Sequence, residues 1–249
     1  MFRRARKIDI PEAVEIAVDG RPVRIAVRHS SRASRYTLRV QNATGEPLLV
    51  IPAHGNLDRA MAFARSQAGW LRERLRRMPE RVPFADGCEI LLRGDPHLLR
   101  HTGRSRGTVE LAASPLPGML PEIRVSGGPE HMSRRLVDWL KAEARRDLEL
   151  SVQVHTAKLG VRAKRITVRD QTSRWGSCST SGTLSFSWRL VLAPPFVLDY
   201  LAAHEVAHLV EMNHSARFWK TLERICPQTR QAEAWLKANG TSLFRYGPR

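Results

Sequence analysis

The segment 204–208, His-Glu-Val-Ala-His, combines the residue types that hydrolyse bonds with the help of a metal ion. Two histidines four residues apart lie on the same face of a helix, so both imidazoles can reach one ion at about 2.0–2.1 Å. Glu205 lies one step round the helix from His204, beside the ion, where a general base takes a proton from water held by the metal. The segment therefore predicts a zinc hydrolase with Glu205 as its catalytic residue.

A third protein ligand is needed to hold the ion while one position stays open for water. His214 follows His208 by 214 − 208 = 6 residues, a gap in which the helix can end and the chain can turn back. We predict that His204, His208 and His214 bind zinc. Glu223 and Glu233 are the alternatives for the third ligand, because other zinc peptidases use a distant carboxylate.

The residues around the segment favour this interpretation. Apolar positions predict an amphipathic helix from Pro195 to about Met212, with Asn213 as a left-handed stop and Ser215 as the cap of the next helix. The alternative is that the histidines lie at the surface or the core edge and that Glu205 is an ordinary solvated residue.

One family of zinc peptidases with a similar spacing is excluded by the sequence. Metzincins share the interval from His204 to His214, but they carry glycine where this chain has Glu211. They also place a methionine turn after the third histidine, and no methionine follows Met212.

Several separated motifs occur in order across the C-terminal half. They are Ser173-Arg174-Trp175-Gly176-Ser177-Cys178, Asp199-Tyr200, His204-Glu205-Val206-Ala207-His208, Asn213-His214-Ser215 and Phe218-Trp219. With these motifs the chain resembles the YgjP-like metallopeptidase family. The N-terminal half resembles it more loosely, through the basic stretch 28–39, the segment 50–52 and a helix that contains Trp70.

This resemblance implies a compact zincin core, zinc on His204, His208 and His214, and Glu205 as catalytic base. It also implies kinship with SprT-like and Spartan-like proteases, which act on proteins held on DNA. It supplies no substrate. Near the site, Arg174, Trp175, Gly176 and Ser177 are candidates for shaping the cleft or stabilising the oxyanion, with turn formation as the alternative.

The charge of the chain favours an acidic partner. The net charge is +17, with 22 − 14 = +8 in residues 1–130 and 19 − 10 = +9 in residues 131–249, and such a balance is typical of nucleic-acid contact. A basic cluster precedes the catalytic segment: Lys158, Arg162, Lys164, Arg165, Arg169 and Arg174. The alternative is that these charges are solvated faces of an arginine-rich protein.

Cysteine usage and the N-terminal residues predict a cytoplasmic protein. The three cysteines are widely spaced, which favours free thiols over a disulfide framework. Each cysteine is expected to be a small buried hydrophobic residue. For Cys178, which lies inside the motif, the alternative is a catalytic role or a role as fourth zinc ligand. The basic residues 1–7 are not followed by the apolar core of a signal peptide, and the sequence contains no membrane-spanning run.

Hydrophobic periodicity predicts an α+β fold with a β-rich domain at 1–127 and a zincin-like domain of helices on a small sheet at 128–249. The predicted helices cover 57–78, 131–155, 195–212, 215–224 and 229–239, and the predicted strands include hairpins in 14–51 with an Asp19-Gly20 turn, 89–92, 123–125, 166–168 and 183–190. We expect an extended substrate to pair with the strand Thr183–Arg189. Tyr200, one turn before His204, is expected to serve in packing, with an approach to the metal cleft as the alternative.

Three functions remain open from the sequence. The first is a zinc endopeptidase acting on protein or peptide substrates with no membrane partner, and the second is a nucleic-acid-associated protease. The third is a metal-stabilised binding module without catalysis. Glu205 favours catalysis, because a scaffold has no use for that carboxylate. Imidazole ligands also suit nickel, cobalt or iron.

Overall fold

The computed structural model describes residues 11–41, 44–114 and 116–247, so the basic segment 1–7 lies outside the described residues. The fold is α+β, as predicted. The chain divides into two compact units, the first ending at Met78 and the second beginning at Pro79. Within the described ranges, no helix is both long and apolar enough to cross a bilayer.

The first unit is built on one four-stranded sheet. Its strands are β1 (Ala13–Val18), β2 (Arg21–Ser30), β3 (Thr37–Val40) and β4 (Pro47–Pro52), in the order β1-β2-β4-β3. The predicted turn between β1 and β2 is confirmed, since Asp19 and Gly20 adopt φ of 50° and 74°, the backbone that a two-residue hairpin turn requires.

Two helices cover this sheet where the sequence predicts one helix over 57–78. α1 spans Leu57–Ser66 and α2 spans Ala68–Arg76, and they are separated at Gln67, whose ψ is 8°. The Ser66 hydroxyl donates to the Phe63 carbonyl at 2.7 Å, a side-chain bond that bends helices. The core of the unit is apolar and includes Ile25, Leu49, Ile51, Ala60, Ala64 and Leu71.

The second unit begins with another four-stranded sheet. Its strands are β5 (Glu89–Leu92), β6 (Asp95–His101), β7 (Val109–Ala112) and β8 (Glu122–Val125), in the order β5-β6-β8-β7. The strands predicted at 89–92 and 123–125 are thus confirmed. A long helix, α3 (Met132–Leu159), follows a short 3-10 turn, where the sequence predicts a helix over 131–155.

The compact units differ from the predicted domains 1–127 and 128–249. Ile90, Leu99 and Ile123 of this sheet lie in the same buried cluster as Leu136 and Leu140 of α3. Residues 79–127 therefore share a core with Val206 and Ala207 of the segment 204–208, and the Gly-Gly-Pro sequence at 127–129 marks a turn into α3.

A three-stranded sheet lies beside the helix that contains His204. It contains β9 (Arg165–Arg169), β10 (Gly176–Cys178) and β11 (Thr183–Ser187), in the order β10-β11-β9. The strand predicted over 183–190 ends at Ser187, and residues 188–192 form a 3-10 turn. Because β11 pairs with β10 on one side and β9 on the other, the prediction that Thr183–Arg189 pairs with substrate is wrong: the strand has no free edge.

Three helices complete the unit: α4 (Pro195–Ala207), α5 (Ala216–Ile225) and α6 (Thr229–Asn239). α4 ends earlier than predicted, with His208 as its C-cap, and Asn213 is absent from the described non-glycine residues with positive φ. α4 is also not amphipathic, since nearly every residue from 197 to 207 is buried. Met212, predicted on the apolar face of this helix, lies beyond its end and is 47% exposed. It contacts α3, α5, α6 and β10, and a helix packed on several sides is apolar all round.

Candidate active site

The last turn of α4 and the first residues before α5 bring three histidines together. His204 lies within α4, His208 caps it, and His214 directly precedes Ser215, whose hydroxyl caps α5 by accepting from the Phe218 amide as predicted. The Nε2 atoms of His204 and His214 are 3.1 Å apart. One ring nitrogen from each histidine lies within 4.8 Å of the other two, so the three side chains converge on one point.

Phe218 is the packing support of this cluster. It is fully buried, stacks on His208 at a centroid distance of 4.4 Å, and has its centroid 4.9 Å from that of His204 and 4.8 Å from that of His214. One side chain at the start of α5 therefore limits the rotation of all three imidazoles. The sequence contains the Phe218-Trp219 motif, but spacing alone did not identify this role.

Two hydrogen-bonding groups lie behind the imidazoles. The His208 Nδ1 atom is 3.0 Å from the Glu211 carbonyl oxygen, which can only accept, so this Nδ1 carries the hydrogen and leaves Nε2 with its lone pair. The Tyr200 hydroxyl is 3.4 Å from His204 Nδ1 and donates to Glu233 at 3.1 Å. Tyr200 thus contacts His204 as well as packing, which is the alternative that the sequence left open.

Glu205 is held in a narrow space between α4 and β10. Its side chain is buried at 4% exposure, and its Oε2 is among the buried atoms without a hydrogen-bond partner in the described part of the chain. A Cβ at Gly176 would lie 2.5 Å from Glu205 Oε1, closer than any side chain permits. Glycine at 176 therefore makes room for this carboxylate.

The burial of the site changes its proton affinities. Burial raises the pKa of Glu205 to about 7, although nearby Arg174 opposes the shift. Burial, together with the neighbouring imidazoles of His208 and His214, lowers the pKa of His204 to about 4. Burial also lowers the pKa of His208. The imidazoles of His204 and His208 are neutral at neutral pH, which is the state that binds metals.

This arrangement fits a divalent metal ion. Ring nitrogens of three histidines converge on one point, and Glu205, the residue after His204 on α4, has a buried carboxylate oxygen without a hydrogen-bond partner among the described residues. Neither Glu223 nor Glu233, the alternative third ligands, belongs to a metal-binding group found among the described residues. Glu223 is exposed on α5, and Glu233 contacts Tyr200.

The predicted cleft residues have different surroundings. Gly176 lies against Glu205, and Arg174 is exposed but near enough to affect its pKa. The Trp175 ring instead packs on Phe244, with centroids 4.9 Å apart. Ser177 is partly buried within β10.

Cys178 is a protonated thiol at neutral pH. Burial and the nearby Glu205 carboxylate raise its pKa, whereas a nucleophilic cysteine needs a lowered one. Cys178 is also not part of the metal-binding group found among the described residues.

No curated protein matched the chain. Similar solved structures include the metallopeptidase zymogen abylysin of Pyrococcus abyssi, with 23% identity over 41% of this chain and 99% of that one, at a TM-score of 0.35. The metallopeptidase zymogen jannalysin of Methanocaldococcus jannaschii has 22% identity over 37% of this chain and 87% of that one, at a TM-score of 0.33.

The model of one protein family, the YgjP-like metallopeptidase domain, matches residues 34–239. The match includes the three histidines, Glu205 and the segment 174–177. Because it covers most of the sequence, the chain belongs to the YgjP-like metallopeptidase family and is a hydrolase of peptide bonds.

Proposed function

We propose that the chain is a zinc-dependent peptidase in which His204, His208 and His214 hold the ion and Glu205 is the catalytic base. The observation that carries this proposal is the convergence of three ring nitrogens. It is supported by the next residue after His204, Glu205, whose buried Oε2 has no hydrogen-bond partner in the described part of the chain. Zinc is the metal best suited to three imidazoles with an open position, although nickel, cobalt and iron accept the same ligands.

A bound zinc ion would lower the pKa of water and polarise the scissile carbonyl. Glu205 Oε2 then takes the proton of the attacking water, since this atom has no other hydrogen-bond partner among the described residues. The same carboxyl delivers that proton to the nitrogen of the leaving amine. Gly176 and the body of α4 hold the carboxyl in place and exclude bulk water from it.

We propose β10 as the strand that binds substrate. The Ser187 amide donates to the Trp175 carbonyl at 2.9 Å, and the Ser179 amide donates to the Thr183 carbonyl at 3.0 Å. Residues 175, 177 and 179 thus direct their backbone groups at β11. Alternation along an antiparallel pair then directs the backbone groups of Gly176 and Cys178 to the free edge.

This edge can pair with the backbone of an extended peptide while accepting many side chains. The glycine that makes room for Glu205 is also one of the two residues with outward backbone groups, so the scissile bond and the base come together at Gly176. We place Arg174 and Ser177 at the rim of the same cleft. Trp175 positions β10 through its packing on Phe244.

The catalytic assignment is tested with Glu205→Gln, which keeps the size of the side chain and removes the base. We expect cleavage of an unfolded protein substrate to fall by about 10²-fold or more, with zinc content unchanged by elemental analysis. The matched control is Glu223→Gln, an exposed glutamate on α5, with activity equal to wild type. Equal cleavage by wild type and Glu205→Gln at equal zinc content would refute the assignment.

A second proposal, contact with nucleic acid, is favoured by a basic groove in the second unit. Its volume is about 600 Å³, and it is lined by residues of α3, β9 and the loop between them. Its charged lining residues are Arg145, Glu149, Arg162, Lys164 and Arg165. Glu149 pairs with Arg145 at 3.1 Å, which leaves an excess of positive charge for a phosphate backbone.

The groove is tested by measuring the affinity of single-stranded and duplex DNA at several salt concentrations. We expect affinity to fall steeply with salt and to weaken when Arg162, Lys164 and Arg165 are changed to alanine. The control changes Arg100, Arg124 and Arg134, which pair with acidic residues. Absence of binding at low salt, or equal weakening by both triple variants, would contradict this proposal.

We also propose a cytoplasmic location, in support of which Cys88, Cys178 and Cys226 are all free thiols.

A further inference from the structure

Tyr200 connects the metal centre to a helix that supplies no ligand. It lies on α4, one turn before His204, and its side chain is buried at 5% exposure. Its hydroxyl oxygen is 3.4 Å from His204 Nδ1 and 3.1 Å from Oε1 of Glu233 on α6. A buried tyrosine hydroxyl needs a partner, and this one has a partner on each side.

The chemistry of the three groups sets the direction of the hydrogens. A carboxylate can only accept, so the Tyr200 hydroxyl donates to Glu233. The hydroxyl oxygen then presents a lone pair to His204, and Nδ1 must carry the imidazole hydrogen to make use of it. The remaining nitrogen, Nε2, is left unprotonated, and it is the atom that lies 3.1 Å from His214 Nε2.

We propose that Glu233 and Tyr200 are positioning residues that fix His204 in its metal-binding tautomer. The inference rests on the proposed function, because it assumes that His204 binds the ion through Nε2. Metal-ligating histidines are commonly oriented in this way by a carboxylate, carbonyl or water at the other ring nitrogen. Here a tyrosine stands between the carboxylate and the ring, so Glu233 acts without touching His204.

His208 provides an internal contrast, because its Nδ1 is bonded to the Glu211 main-chain carbonyl at 3.0 Å. Because the partner of His208 is a main-chain carbonyl, a substitution of the Glu211 side chain does not remove it. The orientation of His204 instead depends on the side chains of Tyr200 and Glu233. Without Glu233, the Tyr200 hydroxyl is free to turn and donate to Nδ1. That bond favours the tautomer with its hydrogen on Nε2, which cannot bind an ion through Nε2.

The test compares zinc affinity in metal-stripped full-length protein, measured by competition with a chromophoric chelator. We expect Tyr200→Phe and Glu233→Ala each to weaken zinc binding by about 10- to 100-fold. Adding Tyr200→Phe to Glu233→Ala should cost no further affinity, because the two residues act through one chain of bonds. The control Glu223→Ala removes an exposed glutamate from the neighbouring helix α5 and should leave zinc affinity unchanged.

Two further readouts separate positioning from a loss of folding. Glu233 is an exposed residue, so we expect the melting temperature of the metal-free protein to be the same in Glu233→Ala and wild type. Nitrogen-15 NMR of the metal-free protein should report the Nδ1-protonated tautomer of His204 in wild type and a shift toward the other tautomer in Glu233→Ala. Both of these measurements need only wild type and Glu233→Ala.

Unchanged zinc affinity in Glu233→Ala, or losses that add in the double variant, would overturn the inference. Equal weakening by Glu223→Ala would do the same. These results are distinguishable from failure of the proposed function. If wild type does not bind zinc, or if Glu205→Gln cleaves as well as wild type, the peptidase mechanism itself is wrong.

Discussion

The two compact units bury different kinds of side chain. The core of the first unit is apolar, and its ion pairs, such as Arg72 with Asp19, lie in solvent. Among the described residues, every buried polar or charged side chain belongs to the second unit: Glu122, Ser126, Glu143, His155, Thr167, Ser187, Arg189, Glu205, His208 and Thr229. Burying such groups costs free energy unless they are paired. The second unit therefore carries this free-energy cost, and it also contains His204, Glu205 and His208.

We expect bound zinc to produce a larger difference in stability between the two units than any substitution. A ligand bound only by the folded state stabilises it by about 4 kcal/mol at a thousand times its dissociation constant. We expect zinc to slow amide hydrogen exchange in α4 and in the first turn of α5, as measured by mass spectrometry. Exchange in the first unit, for example in α2, should be unaffected. Equal protection of both units would contradict a site confined to 204–214.

A buried arginine should contribute far more to the free energy of unfolding than an exposed one. Arg189 is 3% exposed, pairs with Asp170 at 3.0 Å and donates to the carbonyls of Leu243 and Tyr246. We expect Arg189→Ala to reduce the free energy of unfolding by about 3 kcal/mol, because it leaves these acceptors without their partner.

The matched variant in the first unit is Arg72→Ala, which breaks an exposed pair and should cost about 0–1 kcal/mol. Both are measured by urea denaturation of the metal-free protein. Similar losses in the two variants would mean that burial does not distinguish the units.

One glycine in each unit allows the same comparison to be made with peptide cleavage as the measurement. A Cβ at Gly176 would collide with Glu205, whereas a Cβ at Gly69 in α2 would meet no atom within 4 Å. Gly176→Ala is expected to reduce peptide cleavage by about 10²-fold, the cost of misplacing a catalytic group by about 1 Å.

Gly69→Ala should leave cleavage unchanged and stabilise the protein by about 0.5–1 kcal/mol, because alanine is the better helix former. Cleavage rates and urea denaturation of both variants test the pair. Full activity in Gly176→Ala would mean that the carboxylate is not confined as the structure describes.

The difference between the units also explains how far the sequence could predict the molecule. Local signals were sufficient for Asp19-Gly20, for the cap at Ser215 and for α6, whose bounds were predicted as Thr229–Asn239. They depend on neighbouring residues alone. The grouping of the three histidines was also predictable, because one helical turn and a short loop bring them together.

Features set by distant segments were not predictable. The bounds of α4 depend on packing against α3, α5, α6 and β10, which periodicity within one helix does not record. The same holds for β11, whose alternating sequence indicated a strand but not that both its edges are paired. Tyr200 and Glu233 are 233 − 200 = 33 residues apart, and only the fold places them in contact.

Two carboxylates, one in each unit, should respond differently to salt. Hydrogen bonds from Arg76 and Arg77 lower the pKa of Glu73 to about 2 at the surface of the first unit. Burial raises the pKa of Asp199 in the second unit, but hydrogen bonds from His155 and Ser151 outweigh burial, so its pKa is also lowered. A lowered folded-state pKa gives stability above the unfolded-state value, and this stability is lost as the pH falls through the folded-state value.

Salt separates the two cases, because ions screen exposed charges much more than partly buried ones. We expect about 0.5 M salt to return the pKa of Glu73 toward its ordinary value in an NMR titration, while the pKa of Asp199 remains lowered. If salt moved Asp199 as far as Glu73, the bonds to His155 and Ser151 would be open to solvent, and the electrostatic contrast between the units would not hold at this position.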